Sequence, residues 1–178
     1  MMVRSADEET AMRHLLSVTG VAGIGLVWFA AVGSAVLADK AKHSDEIKLF
    51  PTESLILEQT NKARAAEKLP PLKLNRTLTK VARAHSENMA RQHKMEHVLD
   101  GKKPSQRIAE AGYDYHYTGE NVAYGFGGFG PEEVFEGWMK SPGHRKNILD
   151  ENYKEIGIGV ATDDKGATYY TQDFGTRR

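Results

Sequence analysis

The stretch NRTLTKVARAHSENMA, Asn75 to Ala90, decides how the rest of the chain is read. Leu78, Val81, Ala82, His85 and Met89 recur at the i, i+3, i+4, i+7 spacing of one helix face, which predicts a helix with an apolar stripe turned towards a core. Asn75 stands where a side-chain oxygen can accept from the first free backbone N–H groups, so it reads as the N-cap. Asn75-Arg76-Thr77 also matches a glycosylation sequon, but capping accounts for Asn75 without it. His85 lies inside the stripe and reads as a buried, hydrogen-bonded histidine rather than a ligand. His93, near the end of the same helix, suits the negative pole of its dipole.

Upstream, Ile56, Thr60 and Ala63 share a face of an earlier helix, with Thr52 as its cap, Glu53 near its positive end and Pro70-Pro71 ending it. Downstream, Lys94 to Lys103 reads as a loop and Ser105 to Ala111 as a short helix stopped by Gly112. After an aromatic stretch (Tyr113, Tyr115, Tyr117), residues Gly119 to Tyr124 read as a short strand or extended turn. A helix from Pro131 turns Val134, Phe135 and Trp138 inward. Ser141 caps the next helix, Pro142 takes its first position, and it runs to about Leu149. Two strands close the chain, Glu155 to Ala161 and Thr168 to Phe174, joined by the turn Asp163 to Gly166. Helices flanking a small, largely antiparallel sheet predict an α+β layered domain.

The chain has 178 residues. Leu15 to Leu37, LLSVTGVAGIGLVWFAAVGSAVL, is an uncharged apolar run long enough to span a bilayer as a helix. Arg4 and Arg13 precede it, and Val36-Leu37-Ala38 resembles a signal-peptidase site, so residues 1–38 read as a signal peptide or a retained membrane anchor. Residues 39–52 are mostly charged and polar and read as a linker, and 53–178 as a single domain. The domain is therefore expected outside the cytoplasm, as a secreted, periplasmic or membrane-anchored protein that meets the membrane through residues 15–37 if they are not cleaved. Lys plus Arg equals Asp plus Glu, at 24 each, so no net field favours nucleic acid. The absence of cysteine excludes disulfides, thiolate metal sites and cysteine nucleophiles.

Several motifs fail on their context. Gly125-Phe126-Gly127-Gly128-Phe129-Gly130 matches G-x-G-x-x-G, but Glu132 and Glu133 follow where a pyrophosphate needs positive potential and no βαβ unit surrounds it, so it reads as a flexible loop. No HExxH helix and no G-x-S-x-G elbow occurs. His43 and His116 have no partners nearby in sequence. Three residues at loop edges or element ends stand out: His97, Glu120 and His144. Two imidazoles and a carboxylate suit either a borderline metal such as zinc, held by nitrogen and oxygen, or proton exchange near neutral pH.

LKLNRTLTKVARAHSENMA, MEH, GENVAYG, PEEVFEGWMKSPGHRKNIL, EIGIGVA and YYTQDFG, in that order over about Glu53 to Gly175, resemble the CAP superfamily, or SCP domain. That family includes cysteine-rich secretory proteins, insect venom antigens and plant pathogenesis-related proteins, and the lack of cysteine resembles its bacterial branch. The resemblance implies a three-layer α-β-α sandwich with a shallow cavity lined by two histidines and two acids. His97 and His144 match the histidines and Glu120 the acid of the GEN motif. Ser141 occupies the fourth position, three residues after Trp138, where animal and plant members place a glutamate; Glu133 and Glu136 lie on the same helix but off that position. The function implied is a non-enzymatic module that binds a lipid, a divalent metal such as zinc, or an envelope partner at this cavity. Two alternatives stand beside it. One is a hydrolase in which His97 and His144 hold a metal and Glu120 activates water; the other is a structural cell-envelope protein.

Overall fold

The computed structural model describes residues 47–127 and 129–178. The apolar run 15–37 and its fate as signal or anchor lie outside the described residues. Among those described, no helix is long and apolar enough to cross a membrane. From residue 47 onward the chain makes one compact unit. Its elements are α1 (Pro51–Ala66), β1 (Lys73–Leu74), α2 (Arg76–Gln92), α3 (Pro104–Glu110), β2 (Tyr115–Gly125), α4 (Pro131–Lys140), α5 (Pro142–Leu149), β3 (Glu155–Thr162) and β4 (Thr168–Arg177).

The strands form one sheet in the order β1-β3-β4-β2, with β1 parallel to β3 and the other pairs antiparallel. Side chains alternate across it, and each face carries its own helices. On one face Ile156, Ile158, Tyr170 and Phe174 pack with Ile56 of α1, Val134 and Trp138 of α4 and Ile148 of α5. On the other, α2 lies against β3 and β4, and α3 joins it through a cluster of Leu78, Val81, Ile108 and Tyr113. The result is the expected α-β-α sandwich with a small, largely antiparallel sheet. Each fully buried side chain such as Leu78, Ile156 or Ile158 contributes about 1.5–3 kcal/mol of transfer free energy.

Glycine fixes how closely α2 approaches. A Cβ at Gly157 or Gly159 would overlap backbone atoms of Leu78 and Thr79, or of Ala82 and Arg83. These two positions of β3 have no side chain, so the helix backbone itself rests on the sheet. The expected stripe of α2 is buried, and the Asn75 side chain accepts from the Thr77 and Leu78 N–H groups at 2.9 and 3.1 Å.

Other local expectations change. Helix α1 begins at Pro51, not after a Thr52 cap, because the Glu53 carboxylate reaches back to the Phe50 N–H at 2.9 Å. Its inner face includes Arg64, buried and donating to the carbonyls of Pro70, Ile148 and Asp150 at 2.8–2.9 Å. Ser141 precedes Pro142 as expected, but its hydroxyl makes no capping bond. His93 adopts a left-handed conformation at the end of α2, and its ring pairs with Asp163 at 2.9 Å. Strand β2 begins at Tyr115, earlier than Gly119, and takes in part of the aromatic stretch.

Strand β2 is an outer strand of the sheet. The carbonyls of Glu120 and Val122, two residues apart and so on the same edge, accept from the Asn147 amide at 3.2 Å and the Trp138 indole at 3.1 Å. Helices α4 and α5 thus cover part of that edge.

Candidate functional site

The GEN and TQDF segments are cross-strand partners. Glu120 pairs in register with Asp173, and Asn121 with Gln172. Successive side chains of a strand point to opposite faces, so Glu120 and Asn121 serve different layers. Gly119 shares the face of Asn121, where a Cβ would meet the Tyr153 hydroxyl. On that face Asn121 donates to Gln172 Oε1 and to the His144 carbonyl, both at 3.1 Å, and accepts from Asn147 at 2.9 Å. Gln172 continues to Thr60 Oγ1 at 2.9 Å. This buried chain ties α1, β4, β2 and α5 together, and it sets His144 beside the edge of β2.

On the opposite face Glu120 is buried, its side chain 1% exposed. Its Oε1 accepts from His97 Nδ1 at 2.7 Å, and its Oε2 pairs with Arg107. Arg107, from α3, also donates through Nη1 to the carbonyls of His97 and Lys102, both at 2.9 Å. One guanidinium therefore holds both the carboxylate and the loop that carries His97. Behind them His85 donates from Nε2 to the Glu96 carbonyl at 2.9 Å and lies 3.9 Å from Glu120 Oε2. Burial pushes the His85 pKa down despite the nearby Glu120, so the ring is neutral at pH 7. The reading of His85 as a buried, hydrogen-bonded histidine agrees with this.

The His97 side chain is 49% exposed. With Nδ1–H held by Glu120, its Nε2 is the nitrogen left to meet a ligand. His144 is half-buried, and its pKa is lowered by burial first and then by His97. The structure thus brings His97 onto Glu120 and sets His144 within its electrostatic reach. The ligating atoms of His97, Glu120 and His144 do not converge as a metal trio. Among the described residues the group that does is His93, Asp163 and Asp164, within 4.8 Å of one another. The His93 ring already contacts both carboxylates, at 2.9 and 3.5 Å, and its hydrogen bond holds Asp163 down at about 2.

Ser141 sits at the junction of α4 and α5 and supplies no acid. Glu133 accepts from the Gly130 N–H at 2.9 Å, and Glu136 pairs with Lys140 at 2.6 Å; both are exposed and engaged on their own helix. The second acid beside Glu120 is Asp173, fully buried, with its pKa raised well above the usual carboxylate range by burial and by Glu120. Sequence reasoning passed over Asp173 although it lies in the TQDF segment. It also missed Arg107, for which no sequence signal stood out.

Residues 57–174 match the family model described as the cysteine-rich secretory protein family, CAP. Protein YkwD of Bacillus subtilis is 37% identical over 123 residues, 68% of this chain and 46% of that protein. The Bacillus subtilis membrane protein YlbC is 37% identical over 144 residues, 78% of this chain and 39% of its own length. The chain therefore spans less than half the length of these curated relatives. Among solved structures, an extracellular SCP-domain protein of Bacillus anthracis superposes with a TM-score of 0.63 at 27% identity, covering 75% of this chain and 45% of that one. An outer surface protein of Borrelia burgdorferi shares the fold, with a TM-score of 0.68 at 23% identity over 74% of this chain and 97% of its own.

Proposed function

Because the chain belongs to the cysteine-rich secretory protein family, CAP, we propose that it is a binding module working outside the cytoplasm, with His97 and His144 as the groups that meet the ligand. The observation that carries this reading is the 2.7 Å bond from His97 Nδ1 to buried Glu120. A histidine held in this way by a carboxylate has a fixed tautomer and a more basic free nitrogen, the arrangement that orients metal-binding imidazoles. Zinc is the probe that this chemistry suits. Its donors would be His97 Nε2 and neutral His144, with water or a ligand atom completing the shell. Two protein donors suit an exchangeable cation rather than a structural one. The names of the relatives, extracellular, outer surface and membrane, support the compartment.

The hydrolase alternative asks Glu120 to activate water. Both of its oxygens are already engaged, by His97 and Arg107, so the geometry favours binding over catalysis. Zinc titration by calorimetry tests the reading: one ion per domain is expected, abolished in the His97→Ala/His144→Ala double variant with the circular dichroism spectrum unchanged. Absence of uptake by the wild type, or uptake that survives in the double variant, overturns it.

A further inference from the structure

Two buried carboxyl groups facing each other pose a charge problem that the binding reading leaves unsolved. Glu120 and Asp173 are directly opposite on neighbouring antiparallel strands, so their side chains share a face with Cβ atoms roughly 5 Å apart. Both are buried, and ionised carboxylates so close repel strongly where water cannot screen them. The groups that face them come from α2, α3, the loop before α3 and β3. Helix α2 contributes neutral His85, α3 contributes Arg107, and the loop before α3 contributes His97. From β3 the in-register residue is Gly157, which has no side chain. Arg107 is therefore the one permanent cation among these groups, and its bond goes to Glu120.

Asp173 has no such help. No N–H or O–H of the described residues reaches either of its carboxyl oxygens, and the residue directly opposite on β2 is Glu120. A buried carboxylate without a donor costs several kcal/mol. A buried carboxylic acid needs only an acceptor, and Glu120 is one.

Taking the binding reading of His97 as its basis, we propose that Asp173 is the second acid of the site, a neutral carboxylic acid that donates its proton to Glu120 and positions that carboxylate against His97. The acid that Ser141 does not supply after Trp138 comes instead from β4. The chain of bonds runs from Asp173 O–H to the Glu120 carboxylate, which also receives His97 Nδ1–H, so that Nε2 is turned outward. Asp173 acts through Glu120 and touches no ligand; it is a positioning residue.

Nuclear magnetic resonance on the full chain in detergent micelles tests this. The Asp173 carboxyl carbon should keep the shift of a protonated acid from about pH 4 to pH 8. Asp173→Asn, which keeps a donor in the same shape, should leave the His97 ring nitrogens in the Nδ1–H pattern. Asp173→Leu, which removes the donor, should convert them to a mixture of tautomers. If the Leu variant does not fold, the carboxyl titration of the wild type and the Asn variant still decide. The proposal is overturned if Asp173 titrates near 4, if the Asn variant loses the Nδ1–H pattern, or if the Leu variant folds and retains it. Zinc uptake by the wild type is read separately. A chain that takes no zinc but keeps Asp173 protonated refutes the binding reading and leaves this inference standing.

Discussion

Replacing Arg107 by methionine should cost about 3 kcal/mol, and most of that cost should disappear when Glu120 is neutralised as well. The Arg107 side chain is 13% exposed and that of Glu120 is 1% exposed, so the pair is shielded enough for a lone partner to be expensive, about 3–5 kcal/mol in a fully buried setting. The partial exposure of Arg107 favours the lower end. Some of the loss has a different origin, because Nη1 also holds the carbonyls of His97 and Lys102, and that part survives any change at Glu120. Glu120→Gln alone should cost about 2 kcal/mol, since it leaves the guanidinium without its anion. The double variant should then be about 2 kcal/mol more stable than the sum of the single losses. Urea unfolding at pH 7, followed by circular dichroism, gives all four values. Additivity to within about 0.5 kcal/mol would refute the picture of one cation offsetting one buried carboxylate.

Two further outcomes are expected. Gly157→Ala should destabilise the domain by at least 2 kcal/mol or so, because the new methyl overlaps the backbone of α2 and not a movable side chain; a change below about 0.5 kcal/mol in urea unfolding would show that α2 does not rest on the sheet there. The cost of His85→Gln should shrink as pH falls from about 7 to 5. The reason is that the folded pKa of His85 lies below its ordinary 6.5, so acid protonates the unfolded chain first and removes stability from the wild type alone. Protonated Asp173 contributes with the opposite sign in both proteins and cancels in their difference. A cost that stays constant or grows in acid, measured by urea midpoints, contradicts a neutral buried His85.

The elements most legible in the sequence were those with one wet side or a clear turn at their end. Helix α2 declares itself through its stripe and its Asn75 cap, and the β3–β4 hairpin through its turn. Strand β4 is harder, because it is buried on both faces over most of its length and polar residues such as Thr171, Gln172 and Asp173 break any alternation. What makes Asp173 unusual is the strand register that sets it opposite Glu120, and register is a tertiary property. Arg64 was missed for a similar reason: a long cationic side chain reads as surface until carbonyls at the end of α5 surround it. His97, Glu120 and His144 stand out in the sequence at loop edges and element ends, and the resemblance places them in one cavity. In the structure Glu120 lies buried behind His97, with its oxygens engaged by His97 and Arg107, on the face that the alternation of β2 gives it.

The covered edge of β2 bears on how the domain behaves among its copies. Open sheet edges recruit strands from other molecules, a hazard that grows with local concentration. Here a stray strand would first have to dislodge the Trp138 indole from Val122 and the Asn147 amide from Glu120, losing two bonds before it formed one. The helices that build the far wall of the sandwich thereby also raise the cost of strand addition along this part of the edge.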